Sequence, residues 1–298
     1  MKEKLVRADL LLFVTALIWG LAFVAQRLGM QHIGPFLFNG IRFLLGGVSL
    51  LPLLFFLKVD RKDVKNKSNI SLLKGGVIAG VFLFVAASLQ QIGIIYTTAG
   101  NAGFITSLYV ILVPLFSYIL WKKNVGIHVW SGAILATIGL YLLSGNADMK
   151  LAWGDLLVLL SAIFWAGHVL IIGWLSPKLD NLRLAIIQFF ICGILSMIVA
   201  VFRETIDYNS ILLAGIPILY GGIGSVGIAY TLQVFAQKHT RPSHAAIILS
   251  FESVFAAIGG WLIINEQLSN MGILGCVMML IGVIIAQIKF RNRKKILS

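Results

Sequence analysis

Runs of about twenty apolar residues recur along this chain from one end to the other, and that recurrence limits its fold more than anything else. A helix needs about 20 such residues to cross the hydrocarbon core of a bilayer. Ten runs meet or approach that length: 8–26, 35–57, 72–95, 101–121, 127–144, 153–175, 182–202, 211–237, 243–264 and 271–289. Only 12% of residues are charged and 59% are hydrophobic, against about 25% and 45–50% in a soluble domain. Such a chain cannot cover its own surface with polar groups, so its solvent is largely lipid. The expected fold is an all-α integral membrane protein with ten transmembrane helices.

The opening residues, MKEKLVRADLLLFVTALIWG, look superficially like a signal peptide. No small-x-small cleavage site follows, and a series of further spans does, so they read as a retained first helix. The net charge of +13 does not point to nucleic acid, because the basic residues sit in short segments between apolar runs. With the N-terminus inside, 20 of the 24 lysines and arginines fall on inside segments, with 3 outside and Arg42 within the second span. The three outside are Arg27, Lys150 and Arg203, and the inside set includes the charged loop from Lys58 to Asn69. That bias orients both termini to the cytoplasm of a multi-pass inner (cytoplasmic) membrane protein. The two cysteines, Cys192 and Cys276, lie inside apolar runs and read as small buried residues rather than a disulfide or a metal site.

The chain also resembles itself. A shift of 146 positions lays ADLLLFVTALIW (8–19) on GDLLVLLSAIFW (154–165), matching Asp9 with Asp155 and Trp19 with Trp165. It also matches Phe43 with Phe189 and Gly47 with Gly193. Later the shift becomes 143. It then pairs Gln90 with Gln233, Thr97 with Thr240, Ser107 with Ser250, Gly132 with Gly275 and Gly139 with Gly282. The chain therefore divides into repeats 1–146 and 147–298. Five crossings per repeat is an odd number, so the second repeat starts on the opposite side from the first. Inverted repeats of this kind are typical of secondary transporters, whose substrate site lies near the midplane between the repeats.

IWGLAFVAQR (18–27), IRFLLGG (41–47) and PSHAAIILSFESVFAAIGGWLIINEQL (242–268) resemble signatures of the drug/metabolite transporter superfamily, EamA type, and the resemblance runs through both halves. It implies a ten-helix carrier with a central cavity, and in many members export of amino acids or related metabolites. The family's Glu-Pro in the ninth span reads Glu252-Ser253 here, so no kink is expected there on proline's account. The family's loop glutamate is kept as Glu266, whereas its first-half counterpart is Lys123.

Polar groups inside spans are costly and mark candidate sites. Glu252 is the one acid well inside a span, and Arg42 lies about 10 Å inside the second at 1.5 Å per residue. The two are candidates for a coupling or structural ion pair, and Arg42 also for holding a substrate carboxylate. Gln90 and Gln233 each offer donors and an acceptor, suited to a zwitterion or to bonding between helices. Trp19 and Trp165, with Phe23, Tyr96, Phe104, Tyr109 and Tyr230, are candidates for lining a cavity or for packing. Ser107, Ser250 and His168 complete the candidate substrate-binding set. Gly100, Asn101, Pro242 and Ser243 are helix-break or cap residues at matching places in the two halves. Small residues such as Gly76 and Gly80 have the spacing of helix-packing surfaces.

The function expected is secondary transport of a small organic solute by alternating access, the expected substrates being amino acids or related metabolites in the export direction. A membrane-embedded enzyme or a non-transporting scaffold are the alternatives. No P-loop is present, and no metal or other cofactor is implied. The expected partners are a small-molecule substrate, the lipid bilayer and, in an oligomer, a second copy of the chain as a homodimer, with no nucleic acid.

Overall fold

The computed structural model describes residues 2–56, 70–122, 126–144, 153–267 and 270–287. The charged loop from Lys58 to Asn69, together with Lys123, Lys150 and the basic run from Lys289 onward, lies outside these residues, as does the side chain of Cys276. Among the described residues there are helices and no strands. That follows from the sequence: inside lipid a backbone N–H has no water to bond, and a helix satisfies it within its own segment.

The helices that form the body are α1 (Lys2–Gly29), α2 (Pro35–Leu50), α3 (Leu72–Ile95), α4 (Ala99–Trp121), α5 (Ile127–Ser144), α6 (Trp153–Leu175), α7 (Asn181–Arg203), α8 (Gly215–Gln237), α9 (Pro242–Ile264) and α10 (Asn270–Gln287). Eight of them are long and apolar enough to cross a membrane. In α5 and α10 the apolar helices that qualify are shorter, Ile127–Gly139 and Asn270–Gly282. The protein is a multi-pass membrane protein. Its outward faces are apolar, with Phe202 and Ile216 at least 80% exposed, while polar Thr15, Gln91, Gln188 and Ser253 are fully buried. This distribution is the reverse of a water-soluble domain.

Local chemistry sets the helix ends. Ser71 caps α3, Thr98 caps α4 and Asp180 caps α7 through side-chain oxygens that accept backbone N–H bonds. Pro35 and Pro242 open α2 and α9, where the missing N–H is no loss. Lys122 and Asn265, which end α4 and α9, both adopt the left-handed conformation, at φ 47° and 56°. The apolar run expected at 211–237 is divided. Asp207 caps a short helix, Tyr208–Leu213, and α8 restarts at Gly215, where Pro217 cannot donate to the preceding turn. The Ser210 amide holds the Asp207 carboxyl below the usual carboxylate range.

Two breaks fall at matching places. α4 is interrupted at Leu108, and α9 at Ser250 and Phe251. The α9 break forms without the family's proline. Ser250 Oγ donates to the Ile247 carbonyl and Ser253 Oγ to the Ser250 carbonyl, each at 2.8 Å, and such back-bonds loosen a helix. A third irregularity has no counterpart: Tyr220–Tyr230 of α8 is a π-helix. Its glycines let α2 approach closely, and a Cβ on Gly222 would lie 2.7 Å from Leu45.

Contacts between the matched segments are reciprocal. Gly47 packs on Phe190 and Gly193 on Leu44, so α2 and α7 run antiparallel. Gly139 packs on the Gly275 carbonyl and Gly282 on that of Gly132, so α5 and α10 do the same. Residues paired by the sequence shifts also meet each other. The Phe43 and Phe189 rings are 6.4 Å apart, and Ser107 Oγ donates to the Ser250 carbonyl at 3.3 Å.

Candidate functional site

A cavity lies where α1, α2, α3, α4, α6, α8 and α9 converge. Its free volume is about 30 Å³, room for a water molecule or two and too little for an organic solute, so this conformation is closed around its centre. Nine of the residues singled out in the sequence line it: Trp19, Phe23, Arg42, Gln90, Tyr109, Trp165, Tyr230, Gln233 and Glu252.

One wall is fully bonded. Gln90 Nε2 donates to Gln26 Oε1 at 3.1 Å. Gln90 Oε1 accepts from Trp165 Nε1 at 2.7 Å and from Thr106 Oγ1 at 3.4 Å. Gln26 Nε2 in turn donates to the Ala22 carbonyl of its own helix. Trp19, matched to Trp165, instead donates to the Ser225 carbonyl at 3.3 Å. One turn away, Thr15 donates to the Ala229 carbonyl at 3.2 Å. Both carbonyls belong to the π-helical stretch of α8.

The opposite wall is not bonded. Gln233 is fully buried and neither its oxygen nor its nitrogen has a partner. Each such orphan costs about 1–3 kcal/mol. The Tyr109 hydroxyl is buried beside the Glu252 carboxyl. Tyr230 closes the cavity in an aromatic box, 4.5 Å from Trp19 and 6.0 Å from Trp165 between ring centres.

Arg42 and Glu252 also line the cavity, but the expected ion pair between them is not made. Arg42 Nε donates to Asn39 Oδ1 at 2.9 Å, and Asn39 bonds the Ala87 carbonyl. The guanidinium carbon lies 4.8 Å from the centre of the Phe43 ring and 5.5 Å from that of Phe38, a cation–π setting. Glu252 Oε1 accepts from Ser107 Oγ at 3.5 Å. Each charge is thus tethered to its own wall, with the cavity between them. Burial without an ion pair is expensive, and the free donor fork of Arg42 is the group best shaped for a carboxylate.

The other expected residues stand away from the cavity. Ser107 and Ser250 meet at the α4–α9 break and support Glu252. His168 Nε2 and Gln188 Oε1 are 2.8 Å apart, and the His168 ring stands edge-on to Trp165 and Tyr230, one layer behind the lining. Phe104 packs against the main apolar core. Tyr96 is 58% exposed at the end of α3 and does not reach the site. Gln26, Thr106 and Ser225 line the cavity without having been singled out. Gln26 closes IWGLAFVAQ one residue before Arg27, seven positions after Trp19 on the same helical face, and that spacing was the available signal.

The two ends of the bundle differ. At the end where α1 finishes, Glu204 accepts from the Phe36 and Leu37 amides at 2.8 and 2.7 Å, closing the start of α2. Glu266 accepts from the Ala99 and Gly100 amides at 3.1 and 3.2 Å, closing the start of α4. Arg27 donates to the Ile94 and Thr97 carbonyls, and Thr97 Oγ1 donates to Asp155 at 2.7 Å. At the N-terminal end the pair equivalent to Thr97 and Asp155 is Thr240 and Asp9. There Asp9 is held by His244 at 2.8 Å, and the Thr240 hydroxyl has no partner. Among the described residues no side chain caps the start of α9.

The model of the EamA-like transporter family matches residues 6–145 and again residues 152–287. An uncharacterized transporter of Archaeoglobus fulgidus is 34% identical over 288 residues, covering 96% of this chain and 87% of that relative. The uncharacterized transporter YoaV of Bacillus subtilis is 24% identical over 97% of this chain and its own full length. A protein of known crystal structure superposes with a TM-score of 0.74 at 18% identity, over 94% of this chain and 96% of the other, a likeness of fold alone. Matched over both halves, the chain belongs to the EamA-like transporter family.

Proposed function

We propose that the protein is a secondary carrier that moves a zwitterionic solute, an amino acid or close relative, across the cytoplasmic membrane by alternating access. The observation that carries this reading is the separated pair of charges. Arg42 and Glu252 line one cavity, neither is ion-paired with the other, and Gln233 beside them has no partner. A carboxylate takes the Arg42 fork, an ammonium group takes Glu252, and the Gln233 amide bonds either. The faces of Trp19, Tyr230 and Trp165 then receive the solute's apolar part. With about 30 Å³ free, the cavity admits the solute only after the bundle opens.

Alternating access needs two halves that can exchange conformations. Ten spans in two inverted repeats supply them. That reading draws support from the family model matching twice, from the antiparallel packing of matched helices, and from the matched breaks in α4 and α9. The basic-residue bias favours both termini in the cytoplasm. Export is the favoured direction because the resemblance to the family implies it.

The test is efflux from proteoliposomes loaded with a mixed metabolite extract, read by mass spectrometry against empty liposomes. Selective loss of a few amino acids is the expected result, and Arg42→Gln and Glu252→Gln should each slow it roughly 10–100-fold, the worth of a charge-assisted bond. Unchanged efflux in both variants, with protein folded, would refute the site.

A further inference from the structure

Among the described residues, buried polar atoms without partners occur on several helices, and four of them fall on one row. From the cavity toward the N-terminal end, α8 and the turn after it present Gln233, Gln237 and Thr240 at intervals of four and three residues, which is one helical face. Gln233 and Gln237 are at most 1% exposed. Both amide atoms of Gln233, the oxygen of Gln237 and the hydroxyl of Thr240 lack a partner. The Gln237 nitrogen donates to the Val169 carbonyl at 3.0 Å, and Val169 itself lines the cavity. The row is therefore continuous with the site. Ser176, at the end of α6, adds another buried hydroxyl without a partner.

The matched row in the first half runs from the cavity to the opposite end and is different at every step. Gln90 is bonded on both sides, Ile94 stands where Gln237 does, and Thr97 is bonded to Asp155. Buried amides without partners are rare in a packed interior, and bonding to a passing solute or water is one way to satisfy them. A solute-free closed state supplies no such partner.

We infer that the seam between α6 and α8 is the route by which a hydrogen-bonding solute and its water pass between the central cavity and the N-terminal face, with Gln233, Gln237 and Thr240 as successive polar contacts. The route closes when α6 and α8 pack together, and His244 and Asp9, 2.8 Å apart on α9 and α1, lie at its N-terminal end. The inference rests on the carrier reading above and adds the path.

The experiment uses the full chain with Cys192 and Cys276 replaced by alanine, carrying Gln237→Cys or its matched control Ile94→Cys. Proteoliposomes are exposed on each face in turn to the membrane-impermeant reagent 2-sulfonatoethyl methanethiosulfonate. Gln237→Cys should react from the N-terminal face at least tenfold faster than Ile94→Cys reacts from either face. Equal rates, in protein that still releases solute, would overturn the route and leave the carrier reading standing. Fast reaction at Gln237→Cys in protein that releases no solute would support the route and count against the carrier. A second variant, Gln237→Leu, separates passage from folding. Its melting temperature should fall by no more than the loss of the one bond to the Val169 carbonyl brings, while efflux per folded protein slows at least fivefold. A lowered melting temperature with efflux falling only in proportion to folded protein would make Gln237 a packing residue and overturn the route.

Discussion

Gln90 and Gln233 occupy matching positions on α3 and α8, and both line the central cavity, yet their surroundings are opposite. Gln90 is held by Gln26, Trp165 and Thr106, whereas Gln233 is bonded to nothing. The ends of the bundle repeat the contrast. Where α1 finishes, two carboxylates from other helices close two helix starts and Thr97 bonds Asp155, while the N-terminal end has the local Asp180 cap of α7, the Asp9–His244 contact and an unpartnered Thr240. The lesson is that a residue in one half can be committed to structural bonds while its sequence match in the other half has none. Sequence symmetry does not imply equal roles.

The largest effect should come from the committed side. Gln90→Leu removes bonds to Trp165 Nε1 and Gln26 Oε1 and leaves both buried, at a cost of about 1–3 kcal/mol for each orphan. Thermal unfolding in detergent should show a clear drop in melting temperature, and an unchanged value would break the comparison. Next come the carboxylate closures. Glu266→Ala or Glu204→Ala removes an acceptor from two helix-start amides, a loss of about 0.5–2 kcal/mol by analogy with capping residues. If the two ends are as unequal as their contacts, either change should destabilise more than His244→Ala at the N-terminal end, and the reverse order in melting temperatures would count against it. The smallest effect belongs to Gln233→Leu. It deletes orphaned polar atoms and no bond, so stability should stay within about 0.5 kcal/mol of the parent or rise.

Much of this was legible in the sequence, for physical reasons that are uneven along the chain. Apolar length identified the eight helices long enough to cross a membrane, because lipid admits few alternatives, and the 143-residue shift singled out Gln90 and Gln233 as a pair. Their opposite bonding was not legible, because it depends on Gln26 of α1 and Trp165 of α6, which fold brings together from 64 and 75 residues away. The Arg42–Glu252 pairing failed for a similar reason. Asn39, three residues before Arg42 on the same helix, and the rings of Phe38 and Phe43 hold the guanidinium on its own wall. Ser107, Ser250 and His168 were expected to bind substrate, but none of them lines the cavity: the two serines meet at the α4–α9 break, and His168 sits against Gln188 behind the lining. With the family's proline absent the sequence offered no proline-based reason for the break in α9, and serine back-bonds leave no distinct pattern in a serine-containing apolar run. The π-helical stretch of α8 is marked only by its closely spaced glycines.

The most direct test is ligand-induced stabilisation of the parent and of Gln233→Leu, measured as the rise in melting temperature on adding the amino acids identified by efflux. Binding to the folded state alone raises stability in proportion to ligand occupancy. The parent should show a concentration-dependent rise, and Gln233→Leu, equally stable without ligand, should lose most of it. A full rise in Gln233→Leu would contradict the claim that the unbonded wall of the cavity is the one that receives the solute.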